Sequence, residues 1–141
     1  MLLHIIARGK IGRSPEGELV ARYAKRITWP FFLTELSDKG GRVPPPKHEP
    51  VRRILLDERG RAASSVDLAK LLENWRDSGV REAQFLIGAA DGYTAEEQKL
   101  ADELLSFGPA TWPHLLVRAM LTEQLYRAVS ILSGHPYHRA G

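Results

Sequence analysis

Ala83-Gln84-Phe85-Leu86-Ile87-Gly88-Ala89-Ala90-Asp91-Gly92-Tyr93-Thr94-Ala95-Glu96-Glu97 is the stretch that decides the fold. Ala83 to Ile87 is a short, largely apolar run, which suits a strand buried on both faces. Gly88 to Gly92 is a glycine turn with small neighbours. Thr94 with Glu97 three residues on forms a capping box, which opens a helix. Strand, turn and helix in that order is the unit of a parallel α/β sheet, and the rest of the chain repeats it on either side.

Upstream, Leu2 to Ala7 reads as another buried strand, closed by Gly9. Ser14 then offers an N-cap, and Pro15 stands at the first helical position. That helix should run to about Ile27, with Leu19, Tyr23 and Ile27 on one stripe, and stop before Pro30. Phe31 to Leu36 reads as a strand. Ser37 to Pro50, with Gly40, Gly41 and three consecutive prolines, reads as a long loop. Ile54 to Leu56 is a third strand, expected to turn at Asp57 to Gly60. Ser64 and Asp67 form a second capping box before Leu68, Leu71, Leu72 and Trp75, which share a helical face.

Downstream, the helix opened at Thr94 should reach about Ser106 with Leu100, Leu104 and Leu105 inward. Ala110 to Trp112 reads as a brief fifth strand. Leu115 to Ser133 is a helix with Val117, Leu121, Leu125, Ala128 and Leu132 on one stripe, stopped at Gly134. The expectation is an α/β fold, a mostly parallel sheet flanked by helices, forming a single domain over residues 1–141.

Composition narrows the class. Forty-three percent hydrophobic and 26% charged residues are ordinary globular values, and no internal repeat is visible. The absence of cysteine excludes disulfides and thiolate chemistry. No apolar run approaches the roughly 20 residues of a membrane span, and Met1 to His4 lead straight into a strand without a basic leader, so the expectation is a cytoplasmic protein with no membrane partner. The net charge of +3 is unevenly shared: residues 1–61 hold 13 Lys+Arg against 7 Asp+Glu, and residues 62–141 hold 7 against 10. The amino-terminal half is therefore the better polyanion face.

Ligands of open α/β sheets sit beyond the carboxyl ends of the strands. Here those ends are Leu56 to Gly60, Gly88 to Gly92 and Thr111 to His114. Gly88-x-x-x-Gly92 is neither a dinucleotide fingerprint nor a phosphate-binding loop. No nucleophile elbow is present, and no histidine pair has the spacing of a helical zinc site, so no metal is expected. His114, alone after Pro113, reads more readily as a structural hydrogen-bonder than as a catalyst. The tail His135-Pro136-Tyr137-His138-Arg139 is different: imidazole, phenol and guanidinium together can stack on a base and engage phosphate.

An ordered set of residues carries a family resemblance: Leu86-Ile87-Gly88, Pro113-His114, Leu116-Val117-Arg118, Glu123, Leu125-Tyr126-Arg127-Ala128 and the His135 to Arg139 ending, with a weaker match at Leu55-Leu56-Asp57 and Ala7-Arg8-Gly9-Lys10. In these the chain resembles the small SPOUT-superfamily methyltransferases that modify N3 of a pseudouridine in the helix 69 loop of bacterial 23S rRNA. The resemblance implies a C-terminal trefoil knot, a homodimer, S-adenosylmethionine as methyl donor, and the assembled ribosome as partner. By position it implies cofactor contacts at Leu56, Gly88, Phe107, Gly108, Pro109, Ala110, Thr111 and Trp112. His138 or a neighbouring tail group would help remove the N3 proton, Tyr137 orient the base and Arg139 meet phosphate or the developing anion. Arg8, Lys10, Arg22, Arg26 and Arg118 are the candidate RNA contacts. Ala89 stands where the family usually has a second glycine, which leaves open a knotted, RNA-binding dimer with weak or lost donor binding.

Overall fold

A computed structural model describes residues 1–89 and 92–139. Ala90 and Asp91, inside the glycine turn read above, lie outside the described residues. The elements in chain order are β1 (Leu2–Arg8), α1 (Pro15–Ala24), β2 (Phe31–Leu36), β3 (Val51–Ala62), α2 (Ser65–Asp77), β4 (Glu82–Ile87), α3 (Ala95–Leu100), β5 (Glu103–Ser106) and α4 (His114–Ser133). The strands form one sheet in the order β2-β1-β4-β3-β5, and every pairing is parallel. The expected α/β class is what the chain adopts.

β1 is buried along its whole length, because its two faces meet different cover. Leu3, Ile5 and Ala7 join Phe85, Ile87 and Ile54 in the main core, with Leu68 and Leu72 of α2 and Leu121, Leu125 and Ala128 of α4. Each fully buried Leu or Phe there stabilises the fold by about 1.5–3 kcal/mol over an exposed position. The alternate residue Ile6 faces the other way, against Leu55, Leu86, Val43, Tyr93 and Ala101. On that second face the cover is the 37–50 loop and the short α3.

Helix starts follow the sequence closely. Ser14 accepts the Gly17 N–H, and the boxes at Ser64/Asp67 and Thr94/Glu97 are both closed. Ends follow it less well. α1 stops at Ala24, and Arg26 and Ile27 continue in tighter i→i+3 bonds to Tyr23 and Ala24. The long helix expected from Thr94 to Ser106 breaks at Leu100. Asp102 there donates its N–H to Arg53 O at 2.8 Å and accepts the Arg53 N–H at 2.8 Å, which sets Glu103 to Ser106 as β5 on the edge of β3. Residues 110–112, read as the fifth strand, are irregular instead. β3 also runs past its expected turn, with a bulge between Leu56 and Arg61.

Candidate functional site

Three strand ends and one helix start bound a cleft of about 840 Å³, inside the size range of small-ligand pockets. β3 contributes Leu56 to Arg59, the end of β4 and the turn after it Ile87 to Ala89, β5 Leu105 and Ser106, and the β5–α4 connection Phe107, Gly108, Ala110, Thr111 and Trp112; Pro113, His114 and Val117 close it from α4. Of the eight residues implied as cofactor contacts, seven line this cleft, and Pro109 is not among them.

Gly88 is small for a reason that can be measured. A Cβ there would stand 3.1 Å from Gly92 O and 3.1 Å from two ring carbons of Tyr93. The Tyr93 ring therefore occupies the space a side chain would take. Its hydroxyl donates to Leu86 O at 2.9 Å and reaches Leu56 O as well, tying the ends of β3 and β4 together under the cleft. Burial, the largest influence, pushes this phenol far above its ordinary range, so it serves as a fixed donor. On the other wall Ser106 Oγ donates to Gly108 O at 2.6 Å and accepts from Gly108 N at 2.9 Å, shaping the 106–108 turn. Thr111 donates to Glu58 and so links the β5–α4 connection to the β3 bulge.

The cleft is electrostatically polar. Asp57 is gripped by Arg59 through its N–H and guanidinium at 2.9–3.1 Å, and that hydrogen bonding, against the cost of burial, holds the carboxyl below its usual value. Asp57 and Glu58 make one side acidic. α4 starts at the cleft, at Pro113, with no side-chain cap and no acid in its first turn, so its N–H groups and dipole offer positive potential there. A zwitterionic ligand with a cationic centre and a carboxylate fits that polarity.

The candidate RNA contacts divide sharply. Lys10, Arg22 and Arg26 are exposed. Arg8 and Arg118 are not surface groups, which corrects the expectation for both. Arg118 is fully buried at the base of α4; it donates to Glu35 at 2.5 Å and to Gly9 O at 2.9 Å. Desolvation opposes ionisation of Glu35, yet the Ile11 N–H, Arg118 and Lys10 together hold its carboxyl below the usual value. Arg8, also buried, donates to Ser37 O, Gly40 O and Gly41 O at 2.7–2.9 Å and pairs with Glu97 at 3.2 Å. Both arginines brace the strand ends beside the cleft, and their partners are too distant in sequence for local reading to find.

The tail lies elsewhere. Gly134 caps α4 with φ 77°, and His135 N–H returns to Ser130 O at 2.9 Å. Tyr137 then packs on Tyr126 with ring centres 4.5 Å apart, Arg127 lies 4.7 Å over the Tyr137 ring, and Arg127 approaches His138 Nδ1 at 3.2 Å. Tyr137 and His138 are half-buried and Arg139 is exposed. These three residues sit together at the carboxyl end of α4, whereas the cleft is at its amino end. Tyr93, Ser106 and His114 are the cleft residues that sequence reasoning missed or discounted. Only His114 had a local signal, its place beside Pro113 at a strand end.

Among the described residues no group of three or more His, Cys, Asp or Glu could hold a metal ion, and no helix is long and apolar enough to cross a membrane. A family model described as "Predicted SPOUT methyltransferase" matches residues 1–138. The chain is 67% identical to a "Ribosomal RNA large subunit methyltransferase H" of Erythrobacter litoralis and 64% identical to one of Novosphingobium aromaticivorans, in each case over 141 residues and the whole of both chains. Its fold is similar to that of a probable methylase family protein from Haemophilus influenzae, with a TM-score of 0.55 and 13% identity over 94% of this chain and 66% of that one.

Proposed function

This chain belongs to the SPOUT methyltransferase family, and from that premise we propose that it methylates N3 of a pseudouridine in the helix 69 loop of 23S rRNA, using S-adenosylmethionine, as a homodimer acting on the assembled ribosome in the cytoplasm. The observation that carries the reading is the cleft: a glycine-floored pocket at the carboxyl ends of β3, β4 and β5, in a chain related over its full length to rRNA methyltransferases. The C-terminal trefoil knot is part of the same proposal.

The residues present fit the donor. A Cβ at Gly88 would crowd Gly92 O and the Tyr93 ring, Leu56, Ile87, Leu105 and Phe107 offer apolar walls for an adenine ring, and the backbone of 106–112 offers polar groups for its edge. Ala89 lines the cleft without filling it, and its carbonyl accepts the Gly92 N–H at 2.9 Å. That favours the enzyme over a dimer with lost donor binding. When bound, S-adenosylmethionine supplies a methyl group on a sulfonium, the electrophile of an in-line displacement.

The chain's own residues position the base and manage its proton. Tyr137 offers a stacking surface, and Arg139 a cation for phosphate or for the anion that develops on the base. His138 takes a definite role from its neighbour. A guanidinium has only N–H groups to give, so Arg127 donates to His138 Nδ1; the imidazole proton then resides on Nε2, and His138 presents a donor. It stabilises the deprotonated base instead of accepting the proton. Because the tail lies at the far end of α4 from its own cleft, it serves the cleft of the partner subunit.

Mass mapping of 23S rRNA from cells lacking the gene tests the proposal. One absent methyl on a helix 69 pseudouridine, restored by the purified protein on ribosomes from those cells, is the expected result. An unchanged methylation map would overturn it.

A further inference from the structure

If the tail histidine is a donor, the N3 proton needs another acceptor near the methyl group. The described titratable groups of the cleft leave one free. Asp57 is committed to Arg59. Glu58 accepts from Thr111. Tyr93 is a buried phenol hydrogen-bonded to two carbonyls. Glu35, nearby, holds Ile11 N–H and Arg118. His114 lines the cleft at the first residue of α4, is only partly buried, and forms no hydrogen bond with the described residues.

The surroundings of His114 are built for more than packing. At Gly9, φ is +95°, and a Cβ placed there would stand 2.9 Å from Asp38 Oδ1 and 3.4 Å from His114 Nε2. The imidazole and the carboxylate thus both lie against Gly9, in space that a side chain there would take. Gly9 belongs to the end of β1, Asp38 to the loop after β2, and His114 to the cleft wall. Of the three only His114 lines the cleft, and Asp38 is exposed. Arg118, one turn along α4, fixes this geometry by donating to Gly9 O and Glu35.

We infer that His114, with Asp38 beside it, accepts the N3 proton of the target base, in the same subunit whose cleft holds the methyl donor. The inference rests on the reading of the protein as a base methyltransferase. The N3–H bond breaks and its proton passes to the imidazole. The electron pair left on N3 forms the N–CH3 bond, while the C–S bond of the donor breaks with its pair remaining on sulfur. The imidazolium, stabilised by the Asp38 carboxylate, then returns its proton to solvent. Each composite site then has its base from one subunit and its anion-stabilising donors from the other.

The charged groups around the imidazole are Asp38 from the loop after β2, Lys10 from the loop after β1, Asp57, Glu58 and Arg59 across the cleft, and the Arg118–Glu35 pair behind it. Of these, Asp38 is the one that lies with Nε2 against Gly9.

The test is single-turnover methyl transfer by the full chain to ribosomes lacking the mark, with labelled S-adenosylmethionine, from pH 6 to 9. Donor affinity is measured separately by calorimetry. His114→Gln should slow transfer at pH 7 by about 10²–10⁴-fold, with donor Kd within about threefold of the parent. Its rate should keep climbing with pH where the parent's has levelled, and added imidazole should raise the rate of His114→Ala at least about tenfold. Asp38→Asn should fall between parent and His114→Gln, and His138→Gln should keep the parent's pH profile. A His114→Gln rate within about threefold of the parent overturns the inference, as does a slow variant with a parental pH profile and no rescue. Transfer by the parent is the control on the enzyme reading, and without it the inference falls with that reading.

Discussion

Separating the cleft from the tail by the length of α4 leads to a test with opposite outcomes for the two possible assemblies. The helix has 20 residues, so its ends are about 30 Å apart. His138 is four residues beyond Gly134, and four extended residues span about 14 Å at most. Even released from Tyr126 and Arg127, the tail cannot reach the cleft of its own chain. Take one subunit with Gly88→Val, whose added carbons would begin 3.1 Å from Gly92 O and the Tyr93 ring and so force these cleft residues to shift. Take another with Tyr137→Ala and His138→Ala, which removes the tail's stacking surface and donor. Each homodimer should be nearly inactive. A heterodimer purified through two different tags contains one cleft and one tail that are intact and face each other, so it should recover about half the parent's rate per dimer. The converse pairing, parent with a subunit carrying all three substitutions, places a defect in both composite sites and should be nearly inactive. If the first heterodimer is dead and the second retains half, the tail works in its own subunit and the trans arrangement is wrong.

Other consequences are simpler. Tyr93→Phe keeps the ring against Gly88 but deletes the donor to Leu56 O and Leu86 O; it should cost about 1–2 kcal/mol, lower Tm by roughly 3–8 °C, and weaken donor binding, and an unchanged Tm by calorimetry would contradict the clamp. Arg22→Glu should weaken ribosome binding and lower its salt slope by about one, whereas Arg118→Met should leave that slope alone and destabilise the fold by about 3 kcal/mol in urea titration, toward the low end for a buried pair because Glu35 keeps about a third of its exposure. Glu82 is fully buried; against desolvation, bonds from His4, Gln84 and the Lys47 and His48 N–H groups hold its carboxyl below the usual 4.5. A depressed carboxyl stabilises the fold above its unfolded value and loses that contribution as pH falls through the folded one. Glu82→Gln should therefore flatten the loss of stability as pH falls below about 4.5, measured as urea midpoints.

Local chemistry made most of the fold legible. Ser14-Pro15, Ser64/Asp67 and Thr94/Glu97 mark three helix starts, because a cap is a contact between residues three apart and its partners are visible together. The failure at Leu100 has the opposite cause. Leu100, Leu104 and Leu105 have helical spacing, but Asp102 bonds to Arg53 through both backbone and side chain, 49 positions away, and the β3 edge claims Glu103 to Ser106. A ladder between distant segments overrides a short helical pattern. The same limit misplaced Arg8 and Arg118, read as RNA contacts because charge is visible in a sequence and burial is not.

The tail shows where motif reading and geometry part company. A cluster of His, Tyr and Arg after a helix stop looks placed, and it is: Tyr126, Arg127 and the α4 cap hold it. What the motif could not convey is a distance. Glu123 grips Arg127 at 2.9 Å, which fixes the guanidinium that in turn donates to His138, so the tautomer of the tail imidazole is set by Arg127, 11 residues earlier, and by the Glu123 that holds it one helical turn before that. The imidazole discounted in the sequence, His114, stands free at the cleft. Two histidines at opposite ends of one helix thus differ in their neighbours: a guanidinium donates to Nδ1 of His138, whereas the His114 side chain has no hydrogen-bond partner among the described residues. In the proposed two-fold dimer each composite site takes its cleft from one end of α4 and its tail from the other end of the partner's, so the heterodimer test above decides both proposals together.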